Sequence, residues 1–312
     1  MTIVTLPALL RPLIESRLPE NIAVRWFTTQ DEAMAFGPGA EIGWFDMYDK
    51  DDMAVVIANA TDLKWLNSIY AGIDGMPIDQ LIAQETAYTN GAGINAITIA
   101  EYVVMGMLTV AKGYDEVVRA RDRREWLTDS PGKIELADAK ALLLGAGAIG
   151  GLVATRLAAF DVEVTTVRRT PGAGELGPGQ WRTKLGEFDW VILAVPATTE
   201  TDGMIGVAEL AAMKSSATLI NIARGSVVDQ DALIDALTSR SIAHAFLDVM
   251  MPEPLPPEHP LWALPNAHIT MHLSGRAQDK MYVRSAARFL DNLGRWQRGE
   301  PLLHRVDLSR GY

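Results

Sequence analysis

The sequence predicts an α/β protein: a Rossmann doubly wound parallel sheet joined to a second, smaller flavodoxin-like α/β domain. Short apolar runs alternate with helical patterns along the chain, as parallel strands joined by crossover helices do. One such unit, 140–170, is punctuated by Gly145, Gly147 and Gly150 in a GxGxxG spacing. The chain is 312 residues long, and domains of about 150 residues make two the natural number.

In the first part, 3–6, 22–27, 41–45, 63–69 and 87–89 read as strands, and 8–17 and 53–60 as helices. Two loops follow apolar runs there: Asp46-Met47-Tyr48, and Tyr70-Ala71-Gly72-Ile73-Asp74. Ligands of open α/β sheets sit at the carboxyl ends of strands, so both loops are binding candidates. The stretch 98–112, TIAEYVVMGMLTVAK, is apolar on nearly all sides apart from Glu101. It reads as a helix linking two domains and as a buried element of a homodimer. The charged stretch 115–124 reads as a solvated face, its mixed signs unsuited to nucleic acid.

The glycine unit comes next. Residues 141–144 form a buried strand, and Ile149, Val153, Leu157 and Phe160 recur at helical spacing. A second strand runs over 162–167. Strand, glycine turn, helix and strand together make GxGxxG a dinucleotide signature. Gly145 permits the tight turn, Gly147 lets the backbone approach a pyrophosphate, and Gly150 lets the helix pack on the strand. The helix N-terminus at Ala148 and Ile149 turns its free N–H groups toward phosphate.

An NAD-binding unit usually carries an acid about 20 residues past the glycines, on the ribose 2′-hydroxyl. This chain has Arg168, Arg169 and Thr170 there. Guanidinium groups bind a 2′-phosphate that a carboxylate would repel. The expected cofactor is therefore NADP(H), with NAD(H) as the second possibility.

Beyond a Gly/Pro loop at 171–179, strands are expected at 190–195, 218–222, 242–249 and 268–271. Thr198, Thr199 and Thr201 are expected to cap a helix near the cofactor. Asn221, Arg224, Asp248, Glu253 and His272 all fall at or just after strand ends, which gathers them at one edge of one sheet. Residues 276–312 read as a helix and tail returning to the first domain. The expected domains are thus 1–96 with 276–312, hinged against 97–275.

Composition narrows the class. The chain is 48% hydrophobic and 21% charged, as globular proteins are. A net charge of -11 disfavours nucleic-acid and anionic-membrane partners. With no cysteine, disulfides and thiolate metal sites are excluded. The first residues lack a signal-peptide pattern, and no apolar stretch approaches a membrane span. A cytoplasmic protein without a metal is expected.

Reduction of a small oxo acid by a nicotinamide needs a proton donor, a group that keeps the donor charged, and a cation for the carboxylate. His272, Glu253 and Arg224 are the residue types for those roles. His244 and His268 read as structural, and His259 and His304 receive no role.

The stretches 221–237 (NIARGSVVDQDALIDAL), 247–256 (LDVMMPEPLP), 259–272 (HPLWALPNAHITMH), 145–160 and 195–201 (VPATTET) resemble the NAD(P)-dependent D-isomer-specific 2-hydroxyacid dehydrogenases. The arginine pair makes the chain most similar to the glyoxylate/hydroxypyruvate reductase branch. The resemblance implies Arg224 on the substrate carboxylate, His272 as acid/base and Glu253 as its support. It implies carboxylate binding by the backbone N–H groups of Ala71 and Gly72, with Met47, Tyr48 and Tyr70 lining the substrate. Cofactor contacts are carried onto Val195, Pro196, Thr201, Ile222, Ala223, Asp248, His272 and Ser274, with Asp248 orienting the nicotinamide amide. The chain departs from the family at Met271, where proline is usual, and at Met250, where an aromatic is usual. The competing reading is a non-catalytic, NAD(P)(H)-sensing interaction protein of the corepressor type. A formate dehydrogenase is disfavoured, since that branch carries Gln where this chain has Glu253.

Overall fold

A computed structural model describes residues 1–47, 49–73 and 75–309. It divides into two compact units, Met1–Asn95 with Gln278–Tyr312, and Ala96–Ala277.

The first unit opens with β1 (Thr2–Pro7), α1 (Arg11–Ile14), β2 (Ile22–Phe27) and α2 (Gln30–Phe36). It continues with β3 (Ile42–Gly43), α3 (Lys50–Asn59), β4 (Trp65–Asn67), α4 (Ile78–Ala83) and β5 (Ala87–Thr89). The strands are parallel in the order β2-β1-β3-β4-β5, the flavodoxin-like doubly wound order. Local chemistry starts the helices. Thr29 and Glu32 form a reciprocal capping box on α2, and Asp49 accepts from the N–H groups of Asp51 and Asp52 to start α3.

The second unit holds α5 (Ala96–Lys112), α6 (Tyr114–Arg123), β6 (Lys140–Leu144), α7 (Ala148–Ala158) and β7 (Glu163–Val167). Then come β8 (Trp190–Leu193), α8 (Val207–Ala212), β9 (Thr218–Asn221), α9 (Gln230–Thr238), β10 (His244–Leu247) and β11 (Ala267–Ile269). The sheet is parallel in the order β11-β10-β9-β8-β6-β7. The order in which strands are added reverses between β6 and β8, so the glycine loop after β6 opens at the switch point where such folds bind ligands. Alternate residues of each strand feed two cores, one on either face: Leu142, Leu144, Val191 and Leu193 on one, Ala141, Leu143, Trp190 and Ile192 on the other.

The last helix, α10 (Met281–Gln297), belongs to the first unit. Its Phe289 is fully buried and lies 5.5 Å from the Trp44 ring and 5.2 Å from that of Trp65. The aromatic layer closes one face of the first sheet.

One local expectation changes, and two stretches gain detail. The stretch 98–112 lies within α5. Its inner face, with Val103, Gly106, Met107 and Val110, is buried in its own unit. A Cβ at Gly106 would come within 2.8 Å of the Phe246 ring, which explains a glycine in mid-helix. The charged stretch 115–124 is mostly the helix α6, laced by the Asp115–Arg119 ion pair at 2.8 Å. Finally, 198–201 forms no helix. The Thr201 hydroxyl donates to the carbonyl of Pro196 and accepts from the N–H of Thr198, closing a turn directly after β8.

No single helix among the described residues is long and apolar enough to cross a membrane; α5 and α6 pass that test only as a pair, bent by 67°.

Candidate active site

Each glycine of the GxGxxG turn has its own reason. Gly145 has φ +97, and a Cβ there would stand 2.5 Å from the carbonyl oxygen of Ala194. At Gly150 a Cβ would stand 2.0 Å from the carbonyl oxygen of Gly145, so the first turn of α7 can press against the loop only as glycine. Gly147, the N-cap of α7, has nothing within 4 Å of its virtual Cβ. Two glycines are thus required by the fold, and the third leaves open space before the free N–H groups of Ala148 and Ile149. That cradle fits a dinucleotide pyrophosphate.

Arg168, Arg169 and Thr170 follow β7 directly and are exposed. Arg168 donates to the carbonyl of Ala146 at 3.2 Å, which places its guanidinium over the glycine loop. Arg169 lies 3.3 Å from the exposed Glu200 carboxylate. The Gly/Pro loop brings a residue that the sequence reading missed. Leu176 bridges back to Val167, and this seats Glu175 at 3.6 Å from Arg168. Glu175 also accepts from the N–H of Gly172 at 2.7 Å and the hydroxyl of Thr166 at 3.1 Å. The Gly172 N–H, with Thr166 and Arg168, holds its carboxyl below the ordinary range against the opposing effect of burial. The strand end therefore has its acid after all, supplied by a loop.

Asn221, Asp248, Glu253 and His272 assemble after the neighbouring strands β9, β10 and β11. Buried Asn221 donates to the carbonyl of Arg224 at 2.9 Å and accepts from the N–H of Ala223 at 3.0 Å, which bends the turn carrying Ile222, Ala223 and Arg224. Arg224 itself is half-buried. Asp248 is 1% exposed, and its carboxylate is turned into the following loop. It accepts from Thr270 Oγ1 at 2.7 Å and from the N–H groups of Leu273 and Ser274, and the Ser274 hydroxyl closes on its other oxygen. Its carbonyl accepts from the His272 N–H at 2.6 Å. A buried carboxylate with that many donors fixes the backbone around His272.

His272 Nδ1 and Glu253 Oε2 are 2.6 Å apart. The other oxygen of Glu253 accepts from the N–H of Met250 at 3.0 Å. Burial pushes the Glu253 carboxyl up, but the His272 and Met250 donors, with the charges of His272 and Arg224, leave it below the ordinary range. An ionised carboxylate only accepts, so Nδ1 of His272 carries the hydrogen and Nε2 faces away with the exchangeable site. Met271 and His272 have φ of +53 and +56. Proline cannot adopt that conformation, so the methionine at 271 goes with a left-handed turn.

In the first unit, the Tyr70 hydroxyl donates to the carbonyl of Met47 at 2.8 Å, tying together the loops after β3 and β4. Ala71 is exposed and Gly72 half-buried, and the carbonyl of Ala71 accepts from Asn90 Nδ2 at 2.6 Å. Tyr48 lies outside the described residues. Asp46, in the first of the two candidate loops, joins it to the second by accepting from Ser68 and Ile69.

The remaining histidines have structural partners. His244 and His268 face each other at 3.4 Å, with Asp115 3.7 Å from His268. His259 accepts from the N–H of Leu261 to start a short 3₁₀ turn. The carbonyl of His304 accepts from the N–H of Asn90. Among the described residues no group of three His, Asp or Glu side chains could hold a metal ion.

Known proteins resemble this chain in sequence and in fold. Residues 104–274 match the model of the D-isomer specific 2-hydroxyacid dehydrogenase, NAD binding domain. The chain belongs to that family. A glyoxylate/hydroxypyruvate reductase B of Yersinia enterocolitica is 35% identical over 247 residues, 76% of this chain and 75% of that protein. The human glyoxylate reductase/hydroxypyruvate reductase is 30% identical over 272 residues, 83% of this chain and 82% of its own. A family member from Aeromonas salmonicida superposes with a TM-score of 0.87 at 26% identity, covering 98% of this chain and 99% of its own. One from Xanthobacter autotrophicus, solved with NADPH and MES, gives 0.81 at 27% identity, covering 100% and 99%. This dehydrogenase is therefore an oxidoreductase of a family that acts on small 2-oxo and 2-hydroxy acids, built on an NAD(P)-binding domain.

Proposed function

We propose that this dehydrogenase reduces a small 2-oxo acid of the glyoxylate/hydroxypyruvate kind to the D-2-hydroxy acid, with NADPH as the preferred reductant. The observation that carries the reading is the His272–Glu253 pair at 2.6 Å, beside the charge of Arg224. A reduced nicotinamide, when bound, supplies the hydride. The chain's own groups do the rest. Arg224 presents a planar fork to the substrate carboxylate. His272 gives the proton on Nε2 to the carbonyl oxygen as it gains negative charge. Glu253, charged and bonded to Nδ1, steadies the imidazolium and fixes its orientation, while Asp248 holds the loop that presents the ring. Within the first unit, the backbone N–H groups of Ala71 and Gly72 are read, from the family resemblance, as carboxylate-binding.

NADPH preference is supported by Arg168, Arg169 and Thr170 after β7 and by the NADPH held in the Xanthobacter relative. The reading also carries a cytoplasmic homodimer. The apolar surface open to a second copy includes Met105, 43% exposed, and Trp126, 93% exposed. A sedimentation run at micromolar concentration showing only monomer would remove the dimer from it.

The test of the activity is a panel of small 2-oxo acids with NADPH and with NADH, read by the absorbance of the reduced nicotinamide. Turnover of at least one acid, faster with NADPH, is expected. No turnover with any acid would contradict the reading.

A further inference from the structure

We propose that Asp46 is a positioning residue for this reaction: its carboxylate fastens the loop after β3 to the loop after β4, holding the N–H groups of Ala71 and Gly72 in their substrate-binding conformation. The inference rests on the reading that this second loop receives the substrate carboxylate.

The geometry is specific. Asp46 follows the short strand β3. Its Oδ1 accepts from the Ser68 hydroxyl at 2.6 Å. Its Oδ2 accepts from the indole N–H of Trp44 at 2.6 Å and from the backbone N–H of Ile69 at 2.5 Å. Ser68 in turn accepts from the N–H of Tyr70 at 3.0 Å, and the Tyr70 hydroxyl returns to Met47, the neighbour of Asp46. The result is a closed circuit, 46–68–70–47, immediately before Ala71 and Gly72. The far side of the loop is fastened separately. Asn90 holds the carbonyl of Ala71, Gly91 N–H holds that of Tyr70 at 2.8 Å, and Arg288 donates to the carbonyl of Ala92 at 2.7 Å. A Cβ at Gly91 would lie 1.8 Å from the Ile69 carbonyl oxygen, so this side of the loop is packed against backbone. Asp46 is thus the one acidic group in the circuit that joins the two loops.

An acid in that place is costly to the fold. Burial pushes its carboxyl up to about 6, although Ser68, Ile69 and Trp44 all donate to it and oppose the shift. No charged side chain contributes to that balance among the described residues. A folded value above the unfolded one means that stability from this group falls as pH rises from about 4 through 6. The ionised form is therefore held at neutral pH against the preference of the fold, and its two oxygens together accept the three donors.

The experiment uses the full-length protein with Asp46→Asn, Asp46→Ala and Ser68→Ala, measuring oxo-acid KM and kcat, NADPH affinity and thermal midpoint. Losing acceptors for two N–H donors in Asp46→Ala should raise KM about tenfold while leaving kcat within about threefold. Asp46→Asn and Ser68→Ala, which each remove one bond, should raise KM a few-fold. NADPH affinity should not change in any of them. Asp46→Asn should melt at or above the wild-type temperature at pH 7.5 and keep only part of that advantage at pH 5. If wild type turns over and all three variants keep KM within twofold, the positioning role is overturned and the proposed activity stands. A lowered midpoint for Asp46→Asn at pH 7.5, with KM and kcat falling together, would overturn it too, making Asp46 merely structural. If wild type reduces no 2-oxo acid, it is the activity that fails.

Discussion

Glu175 Oε1 stands 3.6 Å from Arg168 Nη1 although a whole loop separates them in the chain. The pair puts an acid beside the cation expected to meet a 2′-phosphate, so the two should act on cofactor choice in opposite directions. Arg168→Asp should shrink or reverse the preference for NADPH, each lost charge-assisted hydrogen bond costing about 1.5–3 kcal/mol. Glu175→Gln should tighten NADPH about threefold, within the range of a half-exposed ion pair, and leave NADH unchanged. Cofactor fluorescence titration reads both. A wild-type kcat/KM that favours NADH would remove the premise.

His272 and Arg224 should lose activity in different ways. His272→Ala should lower kcat about 10²–10⁴-fold, the usual worth of general acid catalysis. Arg224→Ala should raise KM as well, since it also removes ground-state binding. Steady-state kinetics with a 2-oxo acid separates the two. A His272→Ala enzyme at nearly the wild-type rate would mean that the proton comes from elsewhere.

Glu253 sets a pH dependence of known sign. Its carboxyl lies below the ordinary range, so Glu253 keeps its negative charge through neutral pH and loses it only as pH falls through the folded value. The acid limit of reduction therefore does not come from His272 losing this partner at mild pH. Glu253→Gln removes the negative charge without removing bulk, and a neutral amide no longer stabilises the imidazolium. The upper pH limit of kcat should move downward. An unchanged pH profile would mean that Glu253 only orients the ring.

Met271→Pro tests the left-handed turn. Proline is usual before this histidine in the family that the sequence resembles, yet φ at Met271 is +53. The substitution forces φ near −65° and should displace the His272 ring from Glu253. A rise of about 1 kcal/mol or more in the barrier is expected, which lowers kcat about fivefold or more. Full activity in Met271→Pro would show that the turn accepts another backbone.

Much of the site could be read from residue order alone. Glycines after an apolar run, arginines after the next, and Arg224, Glu253 and His272 at strand ends each depend on local spacing, and parallel α/β topology brings strand ends together. Helix α2 is also legible locally, since Thr29 and Glu32 have the spacing of a capping box. Glu175 and Asp46 were not readable. Each is an ordinary acid in a loop until the chain folds back on β7 or closes β3 against β4.

The sequence by itself determined the α/β architecture and the dinucleotide turn, and it placed a histidine, a glutamate and an arginine after strand ends. Those follow from period, glycine placement and residue chemistry, which are local properties. Only the tertiary structure decided that Asp248 turns inward to shape the histidine loop, that α5 buries its inner face in its own unit, and that acids stand beside Arg168 and beneath the loop after β4. Hydrogen-bond partners distant in the chain, and the burial that sets their ionisation, exist only once the strands have found their neighbours.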